Sequence, residues 1–257
     1  MSGAAARSSG AAARSSATRA QVAMELRLTA RRGENILVTV IIPAVVLVFF
    51  ASMNLVPSVA GDPLAFLVPG ALTLAVIATS LVNLGISTAY ERNYGVLKRL
   101  GGSPLTRSGL MTAKFSSVLV IELLQIVLLG TIAVWLGWRI GPDASLLWFV
   151  AAWLLGTLAF AGVGLLMAGA LRAEATLALA NAAFIACLLL GGIVVPVDHL
   201  PEPLATIAAV LPAAALSDAF RFALGSGGGG EAVRPFAILS VWAVGAITLT
   251  ARTFRWE

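Results

Sequence analysis

YERNYGVLKRLGGSPLTRSGLMTAK, Tyr90 to Lys114, is the only long polar stretch set between hydrophobic spans. It carries five basic residues: Arg92, Lys98, Arg99, Arg107 and Lys114. On a helical wheel at about 100° per residue, Tyr90, Tyr94, Val96, Leu97 and Leu100 fall on one side. Glu91, Arg92, Gly95, Lys98 and Arg99 fall on the other, with Asn93 as the exception. Gly101 and Gly102 are expected to end this helix. Ser103 then suits an N-cap and Pro104 the first position of the next helix. The stretch therefore predicts a short amphipathic helix, a break, and a second helix that enters a membrane. Such a helix lies flat on a membrane surface or docks on a partner.

The flanking sequence explains why a membrane is invoked. Apolar residues make up 59% of the chain and charged residues 11%, against roughly 45–50% and 25% in a soluble domain. The excess is collected in runs of about twenty residues, the length that crosses a bilayer. The fold class is all-α, polytopic and integral to the membrane. Six spans are expected, near 36–56, 65–89, 115–138, 146–171, 176–195 and 236–251, within a transmembrane domain over 35–255. The first run is too long, and its basic flank too extended, for a cleavable signal. A further apolar stretch, 200–224, is interrupted by Pro201, Pro203 and Pro212. Re-entrant or broken helices shielded by protein fit it better than a straight lipid-facing helix, so 198–232 is expected to form an outer re-entrant segment.

The N-terminal end has a different character. SGAAARS runs from Ser2 to Ser8 and repeats from Ser9 to Ser15. It has nothing large to bury, so 1–17 is expected to be a disordered, low-complexity tail. Residues 18–34 mix Val22, Leu26 and Leu28 with Arg19, Arg27, Arg31 and Arg32, and are expected to form an interfacial helix or a basic flank that fixes orientation.

Orientation follows from the basic residues. With six spans and both termini cytoplasmic, fourteen of the seventeen Lys and Arg residues lie inside, leaving Arg139, Arg221 and Arg234 outside. The polar stretch 90–114 is then cytoplasmic and 198–232 faces outward. The net charge of +5 follows this topology and is not a nucleic-acid signal. Arginine greatly outnumbers lysine and alanine is abundant, a compositional association with GC-rich bacteria, so a bacterial cytoplasmic membrane is expected. Trp135, Trp138 and Trp148 flank an outer turn, as interfacial anchors do.

This layout resembles the membrane subunits of ABC transporters of the type-2 exporter family. In that family the loop after the second span commonly reads E-R-x-x-G-T-L-K-R-L-x-x-T-P, followed by a helix carrying a lysine. Here it reads Glu91-Arg92-Asn93-Tyr94-Gly95-Val96-Leu97-Lys98-Arg99-Leu100, then Ser103-Pro104 and Lys114. Val96 and Ser103 depart conservatively from threonine. A proline-rich segment followed by an acid and an arginine precedes the last span, here Pro196, Pro201, Pro212 and Asp218 to Arg221. The wording is closest to the daunorubicin-exporter-like branch.

The resemblance implies a permease that pairs with a second copy or a related subunit and with two cytoplasmic ATPase subunits. ATP and Mg would be held by those subunits. This chain has no GxxxxGK[S/T] loop, and its only lysines, Lys98 and Lys114, follow no such glycine. The segment after the second span would be the coupling helix, with Glu91, Arg92, Gly95, Lys98, Arg99, Leu100, Pro104 and Leu105 as candidate ATPase-coupling residues. The competing reading is that Arg92, Lys98 and Arg99 only bind anionic lipid headgroups. The substrate implied is an amphipathic drug or lipid-like molecule. A polysaccharide or glycolipid permease is the alternative, and a proton-coupled secondary transporter a more distant one.

Glu122 is the one acid well inside a span, about 12 Å beyond Lys114 at ~1.5 Å per residue. Gln125 follows on the same face. A carboxyl at that depth must face protein or water. It serves either as a polar contact in the transport pathway or subunit seam, or as a packing residue bonded to Asn83, Asn181 or a serine. Gly156, Gly162, Gly164 and Gly169 mark a helix that packs closely against its neighbours. His199 has too few suitable neighbours to indicate a metal site, and Cys187, the single cysteine, can form no intrachain disulfide. No Gly-x-Ser-x-Gly elbow and no intramembrane histidine supports a membrane-embedded enzyme.

Overall fold

Asp62 shows how the second span begins. Its backbone is extended, its carboxylate accepts from the Leu64 N–H at 2.9 Å, and Pro63 occupies the first helical turn, where a missing N–H costs nothing. From there one helix of 31 residues runs from Pro63 to Asn93. It comprises α2 (Pro63–Val76), a π-helical segment (Ile77–Asn83) and α3 (Leu84–Asn93). In this computed structural model the described residues are 20–24, 33–53, 62–101, 107–226 and 232–253, and every regular element among them is helical.

The preceding helix is α1 (Gly33–Met53), 21 residues with Pro43 inside it, or about 31 Å at ~1.5 Å per residue. Its described apolar part is Thr39–Met53. After the second span come α4 (Val96–Gly101), α5 (Arg107–Trp135), α6 (Leu146–Ala170), α7 (Ala173–Leu190), α8 (Glu202–Ala208), α9 (Pro212–Ala223) and α10 (Val233–Thr253). Among the described residues five helices are long and apolar enough to cross a membrane: Pro63–Asn93, Gly109–Trp135, Leu146–Ala170, Ala173–Leu190 and Val233–Thr253. These five fall on the second to sixth expected runs, and α1 falls on the first, with a described apolar part shorter than a span; the bent pair α8–α9 would make a sixth crossing if it counted as one span. Residues 20–24 are helical. The tail 1–17 and most of the expected interfacial segment lie outside the described residues.

The segment expected at the outer face is broken as its prolines imply, but at different points. Pro201 is the N-cap of α8, Pro203 lies in its first turn and Pro212 opens α9. The prolines start helices, because a helix's first turn has no intrahelical use for their missing N–H. The axes of α8 and α9 differ by 71°. Arg221 on α9 pairs with Asp218 at 2.7 Å, donates to the Gly192 carbonyl, and stands 4.1 Å from the Phe66 ring centroid. The acid and arginine before the last span thus fasten α9 to the end of the fifth span and the start of the second.

Helix α6 is the centre of the bundle, and its glycines explain how. A Cβ on Gly156 would lie 2.6 Å from Leu216 of α9, one on Gly162 2.7 Å from Ala246 of α10, and one on Gly164 2.8 Å from the Leu81 carbonyl. Three neighbours therefore approach three glycines closely, as expected of small residues at membrane helix interfaces. The Thr250 hydroxyl reinforces the α10 contact by donating to the Gly162 carbonyl at 2.9 Å. At the end of the bundle opposite the polar turn, the Gly141 and Ser145 N–H groups donate to the Leu224 and Ala223 carbonyls at 3.0 and 2.8 Å, closing the turn between α5 and α6 onto α9.

Candidate functional site

The polar stretch does not form one continuous amphipathic helix. Helix α3 carries the second span through to Asn93, the chain turns at Tyr94 and Gly95, and α4 restarts at Val96. Gly95 has φ 70°, the left-handed region that residues with a Cβ enter only at a cost. The turn rotates α4 relative to α3, so a single wheel over 90–100 assigns some faces wrongly. Tyr94 (69% exposed) and Val96 are on the surface, although the wheel put them on the apolar side. Leu97 is fully buried, as expected, and Lys98 and Arg99 are exposed. Of Leu100 only the helical backbone is described; Ser103, Pro104 and Leu105 lie outside the described residues.

Glu91 and Arg92 also depart from the wheel. Both are turned partly into the protein. The Glu91 carboxylate meets the Lys114 ammonium at 2.6 Å, joining the C-terminal end of the second span to the third; the lysine side chain is 1% exposed and the glutamate 12%. Arg92 donates from both terminal nitrogens, to the carbonyls of Gly169 and Leu171. These carbonyls lie at the C-terminal end of α6, where the last turn lacks intrahelical donors and carries partial negative charge. The guanidinium satisfies both with its fixed fork. Lys114 was visible in the sequence as the lysine of the following helix; that it answers Glu91 was not.

Deeper in the bundle, Glu122 and Gln125 are both buried at 1% exposure. Although one turn apart on α5, they face different helices. Glu122 Oε2 accepts from Trp153 Nε1 at 2.7 Å and Thr157 Oγ1 at 2.6 Å, both on α6. Its second oxygen, Oε1, has no partner among the described residues. Gln125 accepts from Thr79 Oγ1 at 2.9 Å and donates to the Thr39 carbonyl at 3.1 Å. It therefore links α5 to both α1 and the π-helical segment. The partners anticipated for Glu122 are not the ones used, and Asn181 donates instead to its own helix at Leu177. Sequence signals for Trp153 and Thr157 exist only as an i, i+4 pair of hydrogen-bonding residues in an apolar span.

The expected site residues thus divide into three groups. Lys98 and Arg99 present charge to the surroundings. Glu91 and Arg92 tie that surface to the ends of three spans. Glu122 and Gln125 cross-link the bundle interior. Among the described residues, no group of three or more His, Cys, Asp or Glu side chains is placed to hold a metal ion.

Comparison with known proteins places the chain in a family. Residues 17–224 match the family described as ABC-2 type transporter. The chain is also 30% identical over 155 residues to a protein named probable multidrug ABC transporter permease YbhS, from Escherichia coli K12, and equally to its counterpart in Escherichia coli O157:H7. That alignment takes in 58% of this chain and 40% of the relative's length. The family match covers well over half of the chain, and its bounds enclose the polar turn, the buried α5–α6 network and the bent pair α8–α9: the protein is a multi-pass membrane protein of the ABC-2 type transporter family.

Proposed function

We propose that the chain is the permease subunit of an ATP-driven exporter that moves amphipathic drug-like or lipid-like molecules across a bacterial cytoplasmic membrane. Separate ATPase subunits, holding ATP and Mg, dock on α4 from the cytoplasm. Both termini of the chain face the cytoplasm, and a second permease subunit completes the pathway. The multidrug description of the E. coli relative supports the substrate class.

The observation that carries this reading is the division of labour around Gly95. Lys98 and Arg99 are exposed on α4, while two residues just before the turn, Glu91 and Arg92, are held by Lys114 and by the end of α6. A force on α4 reaches the second span across the single turn at Tyr94 and Gly95, and from there the third span through Glu91 and the fourth through Arg92. Transitions of packed helices move as rigid bodies, so such a lever transmits displacement. Headgroup binding alone needs the exposed cations but no such fastening.

The test is co-purification of the tagged chain in mild detergent, followed by an ATPase assay on the complex. An ATP-hydrolysing subunit should accompany the wild type. Lys98→Ala with Arg99→Ala should weaken its retention, and Arg92→Ala should leave it bound but break the link between hydrolysis and transport. Retention of no ATPase under conditions that preserve a known ABC complex overturns the proposal.

A further inference from the structure

At the outer end of the bundle a cavity of about 290 Å³ lies between α2, α5, α6 and the end of α9. Its wall is almost wholly apolar: Val68 and Leu72 from α2, Ile126 and Gly130 from α5, and Phe149 from α6. The floor is buried, whereas Ile140 and Leu146 at the rim are strongly exposed. Three features distinguish it from ordinary packing roughness. A Cβ built on Gly130 meets nothing within 4 Å, so α5 faces open space there. Trp138 also lines the cavity and is 6% exposed, yet its indole N–H is buried without an acceptor among the described residues. Ser145, another lining residue, stands at the N-cap of α6 but does not cap it with its side chain. Buried indole N–H groups ordinarily find a partner. An apolar chamber with two underused donors fits a ligand with an apolar body and one hydrogen-bond acceptor.

Depth identifies which. Gly130 and Ile126 lie five and nine residues before Trp135, the outer end of α5, or about 8 and 14 Å in at ~1.5 Å per residue. That is within the outer half of a hydrocarbon core ~30 Å thick. Ester carbonyls lie at the boundary of that layer and acyl chains run inward from it. We propose that this cavity is a lipid site: it holds one acyl chain of an outer-leaflet phospholipid, whose ester carbonyl accepts from Trp138 or Ser145. The site is independent of ATPase docking; the leaflet assigned to it rests on the orientation proposed above.

Intrinsic fluorescence of the full chain, reconstituted in bilayers, tests this. Wild type and Gly130→Leu, each alone and combined with Trp138→Phe or with Trp135→Phe, are compared in phosphatidylglycerol bilayers with and without bromine on the acyl chains, which quenches tryptophan on contact. Trp135, 83% exposed, calibrates ordinary lipid contact. The emission difference between wild type and Trp138→Phe should be quenched by brominated lipid to a similar degree as that between wild type and Trp135→Phe. In the Gly130→Leu background, with the added side chain filling the cavity, the Trp138 difference should lose its quenching while the Trp135 difference keeps it. Leucine suits a helix better than glycine, so this variant is expected to fold, and retained Trp135 quenching reports that it inserts. A Trp138 difference that brominated lipid leaves unquenched overturns the proposal. So does quenching that persists unchanged in Gly130→Leu, because lipid then reaches Trp138 by another route. A Trp138 signal that responds to an added amphipathic cation but not to brominated lipid assigns the cavity to exported substrate and overturns it equally.

Discussion

The Lys114 ammonium is 2.6 Å from the Glu91 carboxylate, and the lysine side chain is almost fully buried. A charge so placed is tolerated because its partner is charged too. Removing one partner leaves the other without it in a low-dielectric setting, at a cost of about 3–5 kcal/mol for a fully buried pair. The glutamate retains some exposure, so the lower part of that range applies. Lys114→Met and Glu91→Gln should each lower the Tm measured in detergent. The double variant should lose less than the two single losses added together. Strict additivity in this cycle would show that the two side chains do not stabilise the fold as a pair.

Arg92 makes a sharper prediction, because its two acceptors are the carbonyls of Gly169 and Leu171. Lysine keeps the charge but lacks the planar fork needed to bridge both. Losing one hydrogen bond to a charged group costs about 1.5–3 kcal/mol. If that contact must hold throughout the power stroke, Arg92→Lys should reduce transport per ATP by roughly tenfold or more, each 1.36 kcal/mol being about tenfold in rate. ATPase retention should be unchanged. Transport by Arg92→Lys indistinguishable from wild type, at equal abundance, would remove Arg92 from the coupling route and favour a simple headgroup contact.

These residues mark where the sequence is legible and where it is not. The spans are readable because a bilayer imposes a length and a polarity on each run, and neither depends on neighbouring helices. The glycines of α6 are readable for a related reason: small residues in a membrane helix serve close packing, and Gly156, Gly162 and Gly164 each have a close neighbour. The wheel over 90–100 fails at Gly95, since it assumes a constant rotation per residue that a left-handed turn interrupts. Partners for Glu122 were out of reach because Trp153 and Thr157 are 31 and 35 residues away, and no local pattern encodes their approach. The π-helical segment Ile77–Asn83 was not anticipated either. It contains Thr79, which bonds Gln125, and Leu81, whose carbonyl packs on Gly164.

Glu122 separates two roles that burial alone leaves joined. Glutamine has nearly the same shape and can still accept from Trp153 and Thr157 through its carbonyl oxygen. Glu122→Gln should therefore keep abundance and Tm close to wild type. Glu122→Ala leaves the Trp153 indole without its acceptor, while the Thr157 hydroxyl keeps the Trp153 carbonyl at 2.8 Å; a buried group stranded like the indole costs about 1–3 kcal/mol. It should lower the Tm clearly. Export assays on Glu122→Gln then decide the charge question: normal export of cationic amphipaths means that a charged Glu122 takes no part in the pathway, and selective loss of cationic over neutral substrates means that it does.

The last prediction sets two glycines against each other. At Gly164 a methyl group would come within 2.8 Å of the Leu81 carbonyl and 3.0 Å of the Ser80 carbonyl. Both are backbone atoms and cannot swing aside, so the π-helical segment would have to move away from α6. Overpacking of this kind costs about 1–3 kcal/mol. At Gly130 the same methyl group meets nothing within 4 Å, and alanine is favoured over glycine in a helix by about 1 kcal/mol. Gly164→Ala should lower the Tm, and should also weaken the Thr79–Gln125 contact that depends on where the segment sits. Gly130→Ala should leave the Tm unchanged or raise it. The comparison controls for helix propensity, because both substitutions are glycine to alanine within a span and both gain the same intrinsic preference. Equal Tm shifts would mean that the approach of α6 to Leu81 is looser than these distances require, and that the π-helical segment does not owe its position to Gly164.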